Sequence, residues 1–533
     1  MKFDAVTIKN FRNFENITID LTNKNVLFGM NDVGKTNFLY ALRFLFDKDV
    51  RRQNFIDTDY YKKNTNTPIE ILVSIDIGDT EDGDSQKLRA KLKGAILSGQ
   101  DKVYIKVKAT YDEKELVGIP VLYWGGDAED LEEMKVHGTF FDIDYVFNVF
   151  YIDAYVDLYT LFKKNANTLL VNDKEQDKEI LENIQKDEYQ DCDKDMHALF
   201  MYICESLNID TFVVGDEKQS IYMWRGAYPK AFMSIWDRED FSKKFMRDNF
   251  RSCQQIQNYS NLLCDETRDL YKTVDDLSSV IVICTTRSNW VASVTQYLDT
   301  NKKCALLRYS KANAEAGAKA LSDGDMEFTY IPQTPISEIT TDAAWLYNAI
   351  AKYFILPKYS AYDFRDEIPN EVVGNKKILN YIKKSLSLLD ECIKQEDISA
   401  FVKRVEVIAD YLGYDTKEEH CKKVYETICD PKFHPAFNMD ELKRIAITFH
   451  SSKGLEFEQV VLFVSDYKLS SEEDVYNHYV AATRAKTKLI LVYVNGDWSA
   501  GQFAKNINNI LGKSGLKMKD VATIVNCTEC ISD

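Results

Sequence analysis

The residues Gly29-Met30-Asn31-Asp32-Val33-Gly34-Lys35-Thr36 follow a short apolar run, Val26-Leu27-Phe28, and precede Phe38, Leu39, Ala41, Leu42, Leu45 and Phe46 at helical spacing. A strand, a G-x-x-x-x-G-K-[ST] loop and a helix in that order commit a chain to a phosphate-binding turn in an α/β sheet. Each residue type has a physical reason. Gly29 and Gly34 let the backbone curl so that N–H groups converge on an anion. Lys35 adds a point charge for the β- and γ-phosphates, the Thr36 hydroxyl suits Mg2+, and the helix N-terminus adds a favourable dipole. The expected cofactors are ATP and Mg2+, held by Gly29, Asn31, Gly34, Lys35, Thr36 and Asn37.

Five further motifs stand downstream in a fixed order: Asp187-Glu188-Tyr189-Gln190-Asp191, Gly215-Asp216-Glu217-Lys218-Gln219-Ser220-Ile221-Tyr222, Asn249-Phe250-Arg251-Ser252, His450-Ser451-Ser452-Lys453-Gly454-Leu455-Glu456-Phe457 and Tyr479-Val480-Ala481-Ala482-Thr483-Arg484-Ala485. Singly they are bland, since an acidic pair or an arginine usually sits on a solvated face. In this order they resemble the UvrD/Rep-like branch of superfamily 1 helicases. The resemblance implies roles: Asp187 as a Mg2+ ligand, Glu188 as the base that orients water, and Gln219 as a sensor of the γ-phosphate. Arg251 and Arg484 would neutralise developing charge, and Glu456 would contact the ribose. Tyr222 and Trp224 would stack on single-stranded bases, and His450 would couple nucleotide state to DNA.

Such motors carry their own adenine motif and phosphate loop just before the acidic motif. Neither precedes Asp187 here, and positions 37–186 separate Thr36 from it. The run Ile180-Leu181-Glu182-Asn183-Ile184-Gln185-Lys186 has three apolar residues in seven, poor composition for a central parallel strand. The flanks of the loop, Ile8-Lys9-Asn10-Phe11-Arg12-Asn13-Phe14 and Asn37-Phe38-Leu39, together with Tyr151-Ile152-Asp153-Ala154, resemble the OLD/RecF/SMC-type ATPases instead. Residues 1–185 look like the OLD-family member of Gabija antiphage systems, and residues 187–533 like its UvrD-like member. No acidic nuclease constellation follows the ATPase part, so a nuclease is not expected. Leu97-Ser98-Gly99-Gln100 spells a signature of ABC-type ATPases, but upstream of where that signature belongs. Cys527-Thr528-Glu529-Cys530 is half a zinc site without a second pair, and reads as a tail with two thiols.

The expected fold is α/β: an OLD-type ATPase fragment joined to UvrD-like, RecA-type P-loop motor domains. Its divisions are a fragment with a β-rich insertion at 1–165, a linker or join at 166–186, and the remainder of the first motor domain at 187–278. A second motor domain follows at 279–335 and 441–533, interrupted by a helical insertion at 336–440. The net charge of −17 argues against a generic nucleic-acid coat but leaves room for a basic groove. No run of eighteen apolar residues occurs, and the eleven cysteines show no disulfide-scaffold spacing, so a cytoplasmic setting without a membrane is expected.

Two functional readings remain. One is a DNA-dependent ATPase or helicase acting on single strands or ends, in antiphage defence or DNA repair. The other is a catalytically impaired subunit that senses DNA and nucleotide and docks on an OLD-type nuclease.

Overall fold

Alternating apolar and polar residues produce β1 (Lys2–Phe11) and β2 (Phe14–Asp20), an antiparallel pair with Val6 opposite Ile19 and Ile8 opposite Ile17. The short buried strand β3 (Lys24–Gly29) follows. These strands belong to a computed structural model of the chain. It describes all residues except 30–33, 80, 82, 93–99, 138–139, 146–147, 153–180, 187–188, 207–209, 222–227, 229, 248, 325, 340, 342, 369–377 and 527–533. The chain divides into two units, Met1–Arg251 and Ser252–Asp533.

In the first unit, β1 and β2 continue into an antiparallel sheet with β4 (Ile69–Asp76), β5 (Lys102–Asp112), β6 (Val117–Asp127) and β7 (Asp130–Glu133), in the order β2-β1-β4-β5-β6-β7. One face is core: Ile69, Ile71, Val73 and Ile75 alternate as fully buried residues along β4. A small hairpin, β8 (Val136–His137) with β9 (Phe140–Phe141), follows.

The second sheet of this unit positions the site. It joins β10 (Asn148–Ile152), β11 (Leu181–Lys186), β12 (Asp210–Gly215) and β13 (Ser242–Met246) to β3, in the order β10-β11-β12-β3-β13, and every neighbouring pair is parallel. The phosphate-loop strand therefore lies inside the sheet, with Val26 beside Val213 of β12 and Lys243 of β13. Asn25 to Gly29 are all buried, as an interior parallel strand demands. Val26 and Phe28 share one core with Phe200, Val213, Phe232 and Phe241. Helix α1 (Lys35–Phe46) buries Phe38, Leu39, Leu42 and Leu45.

One expectation is corrected here. Within the interval 166–186, expected as a linker or join, Leu181–Lys186 is β11, paired on both sides. The polar composition of that run did not prevent it from becoming an interior strand, because backbone pairing to β10 and β12 satisfies its N–H and C=O groups whatever its side chains.

The second unit carries one parallel sheet of β14 (Val280–Thr285), β15 (Cys304–Arg308), β16 (Thr329–Tyr330), β17 (Arg444–Thr448), β18 (Phe457–Phe463), β19 (Ala485–Val494) and β20 (Thr523–Val525), ordered β16-β17-β15-β18-β19-β14-β20. Ala305 pairs with both Ile445 and Val460, so strands far apart in sequence close one sheet. Between β16 and β17 the chain forms helices Ala344–Ile355, Ala361–Asp366, Ile378–Lys394, Ile398–Leu412 and Glu418–Cys429. They bury their own apolar stripes, including Leu346, Ile350, Phe364, Leu386, Phe401 and Val405. Among the described residues no helix is long and apolar enough to cross a membrane.

Candidate functional site

The phosphate loop opens at the carboxyl end of β3, the edge of a parallel sheet where ligands are held in α/β folds. Gly34 caps α1 in the left-handed region, at φ 95° and ψ 19°. A Cβ there would lie 2.1 Å from Asn13 Nδ2 and 2.8 Å from Phe14 Cζ, so both the backbone angle and the space require glycine. Lys35 is buried, and its ammonium donates to the Gly29 carbonyl at 2.6 Å, across the mouth of the loop. Thr36, in the first turn of α1, is exposed.

Asn37 is drawn into a network from the β1–β2 turn. Its Nδ2 donates to Asn13 Oδ1 at 2.8 Å, and Arg12 Nη1 donates to its Oδ1 at 2.9 Å. Arg12 also donates to Asp59 at 2.9 Å and stacks 4.2 Å over the Tyr40 ring. Reading the sequence did not single out Arg12 or Asn13, although both lie in the segment that flags the loop's family.

The neighbouring strand β12 delivers the Gly215–Tyr222 motif to the same edge of the sheet. Gln219 is buried and donates through Nε2 to Asp216 Oδ2 at 2.7 Å. Asp216 also accepts from the Lys218 N–H at 3.2 Å. Gln190 binds this motif to the acidic one. Its Oε1 accepts from Asp216 N–H at 3.0 Å, and its carbonyl accepts from Ser220 Oγ at 3.1 Å. The close approach depends on Gly215, where a Cβ would sit 2.7 Å from Gln190 Oε1 and 2.7 Å from the Phe232 ring. Gln190, Gly215 and Asp216 stood inside quoted motifs, but their part in joining the two motifs shows only in the fold. Next to Gln190, Tyr189 shares a hydrogen bond with His197 Nδ1 at 2.9 Å, and burial raises the phenol's pKa and lowers the imidazole's.

A cavity of about 570 Å³ lies beside the loop. Asn13, Phe14 and the rest of β2 form one wall, and Tyr61, Lys244, Phe245, Arg247 and Phe250 the other. Phe250, from the Asn249–Ser252 motif, is an exposed aromatic on this wall. Its place next to Arg251 was its only sequence signal. The Arg251 backbone N–H donates to Asn249 Oδ1 at 3.0 Å.

In the second unit the remaining motifs interlock. Arg484 is buried, and each guanidinium nitrogen donates to an oxygen of the same unit: Nε to Val480 O at 2.9 Å, Nη1 to Leu455 O at 3.3 Å and Nη2 to Thr483 Oγ1 at 3.3 Å. The Phe457 N–H donates to the Arg484 carbonyl at 2.9 Å. Glu456 is exposed and ion-paired with Lys486. His450 begins the turn after β17, with its ring 3.8 Å from that of Phe449 and 5.9 Å from that of Tyr309. Asn31, Asp187, Glu188, Tyr222, Trp224, the 97–99 part of Leu97–Gln100, Cys527 and Cys530 lie outside the described residues.

The model of the UvrD/REP helicase N-terminal domain matches residues 60–240, in the first unit. That of the UvrD-like helicase C-terminal domain matches residues 445–492, in the second. The Gabija protein GajB of Bacillus cereus is 39% identical over 327 residues, 59% of this chain and 64% of that protein. The endonuclease GajA of the same organism is 47% identical over 188 residues, 34% of this chain and 32% of that protein. The chain resembles both Gabija proteins. A probable DNA helicase II homologue of Mycoplasma capricolum is 24% identical over 65% of the chain and 59% of its own length. The Gabija-like chain thus spans less than two thirds of each of these relatives. Its fold is α/β, of the P-loop NTPase kind with UvrD-like motor domains.

Proposed function

We propose that this chain is an ATP-hydrolysing, DNA-dependent motor protein of the UvrD kind, acting in Gabija-like antiphage defence. One observation carries the reading. The strand that bears the phosphate loop is hydrogen-bonded to β12, which ends in the Gln219 motif, and β12 is paired to β11, whose last residue precedes Asp187. In parallel strands, loops that follow the carboxyl ends share one edge. Strands spaced about 4.8 Å apart therefore put the segments that follow β3 and β12 within reach of one nucleotide, and this reading assigns Asp187 and Glu188, next in sequence after β11, to the same nucleotide. A motor lacking its own phosphate loop regains one from the OLD-like segment.

In this reading Lys35 and the loop amides bind the β- and γ-phosphates, and Thr36 and Asp187 hold Mg2+. Glu188 orients and deprotonates water, Gln219 reports on the γ-phosphate, and Arg251 and Arg484 stabilise charge as the bond to the leaving group breaks. The Phe250-walled cavity has the size and aromatic lining to take the base. Tyr222, Trp224 and His450 contact single-stranded DNA. An OLD-type nuclease is the partner this reading favours, and the reading assigns the chain itself no nuclease role.

The test is hydrolysis of ATP by the full chain with and without single-stranded DNA. The reading expects DNA to raise turnover, and it fails if no strand or end does so. The second reading, a sensor that binds without hydrolysing, draws on Arg484, whose guanidinium nitrogens all donate to oxygens of their own unit. It gains if DNA binds, ATP binds and no phosphate is released.

A further inference from the structure

The turn between β1 and β2 carries Arg12 and Asn13, and both reach the first turn of α1. Arg12 sits at φ 49°, a left-handed conformation uncommon for a residue with a side chain. It is held there from three sides. Its backbone N–H donates to the Asp59 carbonyl at 2.6 Å, its Nε donates to Asp59 Oδ1 at 2.9 Å, and its guanidinium lies 4.2 Å over the Tyr40 ring. A further arm, Nη1, donates to Asn37 Oδ1 at 2.9 Å.

That contact settles the direction of the next one. A guanidinium can only donate, so the Asn37 atom that faces it is the oxygen, and the Asn37 amide nitrogen faces Asn13. This nitrogen donates to Asn13 Oδ1 at 2.8 Å, a bond between residues 24 apart in the chain. The Asn13 amide nitrogen is thereby turned toward Gly34, where a Cβ would lie 2.1 Å from it. Asn13 also lines the 570 Å³ cavity, with Phe14 and Tyr61. One side chain thus touches the cavity, the glycine that caps α1 and, through Asn37, the helical turn that carries Lys35 and Thr36. All of these residues belong to the first unit.

We propose that Asn13 is a positioning residue that couples a base in the cavity to the setting of the phosphate loop. A base seated against Asn13 fixes its amide, Asn13 fixes Asn37, and Asn37 fixes the turn that aims Lys35 and Thr36 at the phosphates. Arg12 sets the polarity of this relay. The inference rests on the reading of the cavity as the seat of the base, and it names how that seat controls the loop.

Coupling of this kind has a signature that a structural role lacks. Tripolyphosphate with Mg2+ occupies the phosphate loop without filling the cavity, so the ratio of its Kd to that of ATP measures what the base adds. Loss of loop shape alone weakens both probes and leaves the ratio unchanged. Loss of coupling lowers the ratio, because the base no longer improves the hold on the phosphates. The experiment measures both affinities by calorimetry for the full chain and for Asn13→Ala, Asn37→Ala, the double variant and Asn13→Asp, each checked for folding by its melting transition.

The parent should prefer ATP. Asn13→Ala should cut that preference about fivefold or more, the low end of measured couplings. Asn37→Ala should cut it equally and the double variant no further, because the two side chains act in series. Asn13→Asp keeps the oxygen that accepts from Asn37 and should hold the parental preference, although its charge weakens both probes alike. A parental preference in folded Asn37→Ala overturns the proposal, since Asn13 would then act by direct contact alone. Additive losses in the double variant, or a preference lost in Asn13→Asp, overturn it too. If Asn37→Ala does not fold, Asn13→Ala against Asn13→Asp decides, and equal losses in those two overturn the proposal. A preference for ATP that is indifferent to both asparagines removes this inference alone. A parent that binds ATP no more tightly than tripolyphosphate removes the base seat as well. Binding is read without turnover, so the hydrolysis reading stands or falls separately.

Discussion

Truncating Phe28 to alanine tests whether the OLD-like segment is an integral part of the motor sheet or a separate appendage. Phe28 stands on β3 and is 7% exposed. Its ring centroid lies 4.9 Å from that of Phe245, 5.7 Å from Trp236 and 5.9 Å from Phe232, and the Lys218 ammonium lies 5.1 Å from it. All four partners come from the segment downstream of Asp187. A buried phenylalanine reduced to alanine costs about 3–5 kcal/mol in transfer and cavity terms. Even the lower figure corresponds to opening of the sheet made roughly 150-fold easier. Amide hydrogen exchange of Phe28→Ala against the parent locates the damage. Protection should fall in β12 and β13 as well as in β3 and α1, and the emission of Trp236 should change. A loss below about 1 kcal/mol, or faster exchange confined to residues 1–46, would refute the packing argument.

Three other outcomes are expected. Gly34→Ala, which places a Cβ 2.1 Å from Asn13 Nδ2 at a φ of 95°, should weaken ATP binding at least tenfold and cost about 1–3 kcal/mol, measured by calorimetry and melting; parental affinity would show that the loop tolerates side chains. Burial pushes His478 down to about 3, so the folded state excludes a proton that the unfolded chain takes up near pH 6.5. The stabilisation is therefore complete above pH 6.5 and is lost as pH falls from there toward 3, at about 1.36 kcal/mol per pH unit, and His478→Gln should be less acid-sensitive by about 2 kcal/mol at pH 5 in urea titrations. Parallel stability curves for parent and variant would contradict that. DNA binding should favour single strands and weaken steeply with salt, and Trp224→Ala should cost about 1–3 kcal/mol; an unchanged affinity in the folded variant would assign Trp224 to the core.

Much of this fold is legible in local pattern. Alternation marks β1 and β2, the apolar run Val26–Phe28 marks β3, and spacings of three and four mark α1 and the helices between β16 and β17. What local pattern does not carry is pairing between distant strands. Nothing in Lys24–Gly29 specifies that β12 and β13, far downstream in the chain, will flank it. That choice is made by the complementarity of Phe28 with Phe232, Trp236 and Phe245, a tertiary property. β11 was obscured for the opposite reason: its composition argues against an interior strand, while its backbone pairs on both sides. At the site, motif order sufficed to nominate Gln219 and Arg484. The parts played by Gln190 and Gly215 depend on close approach between motifs, which spacing within one motif does not encode.

The central claim is that the loop of one ancestral segment and the acidic motif of the other serve a single nucleotide. ATP binding and hydrolysis measured side by side for Lys35→Ala and Glu188→Gln test it most directly. Each substitution should lower hydrolysis at least roughly tenfold, about 1.4 kcal/mol in barrier. Lys35→Ala should also weaken ATP binding, whereas Glu188→Gln should leave it intact, because it removes the base and spares the phosphate cradle. Hydrolysis that depends on Lys35 but is indifferent to Glu188 would contradict the claim.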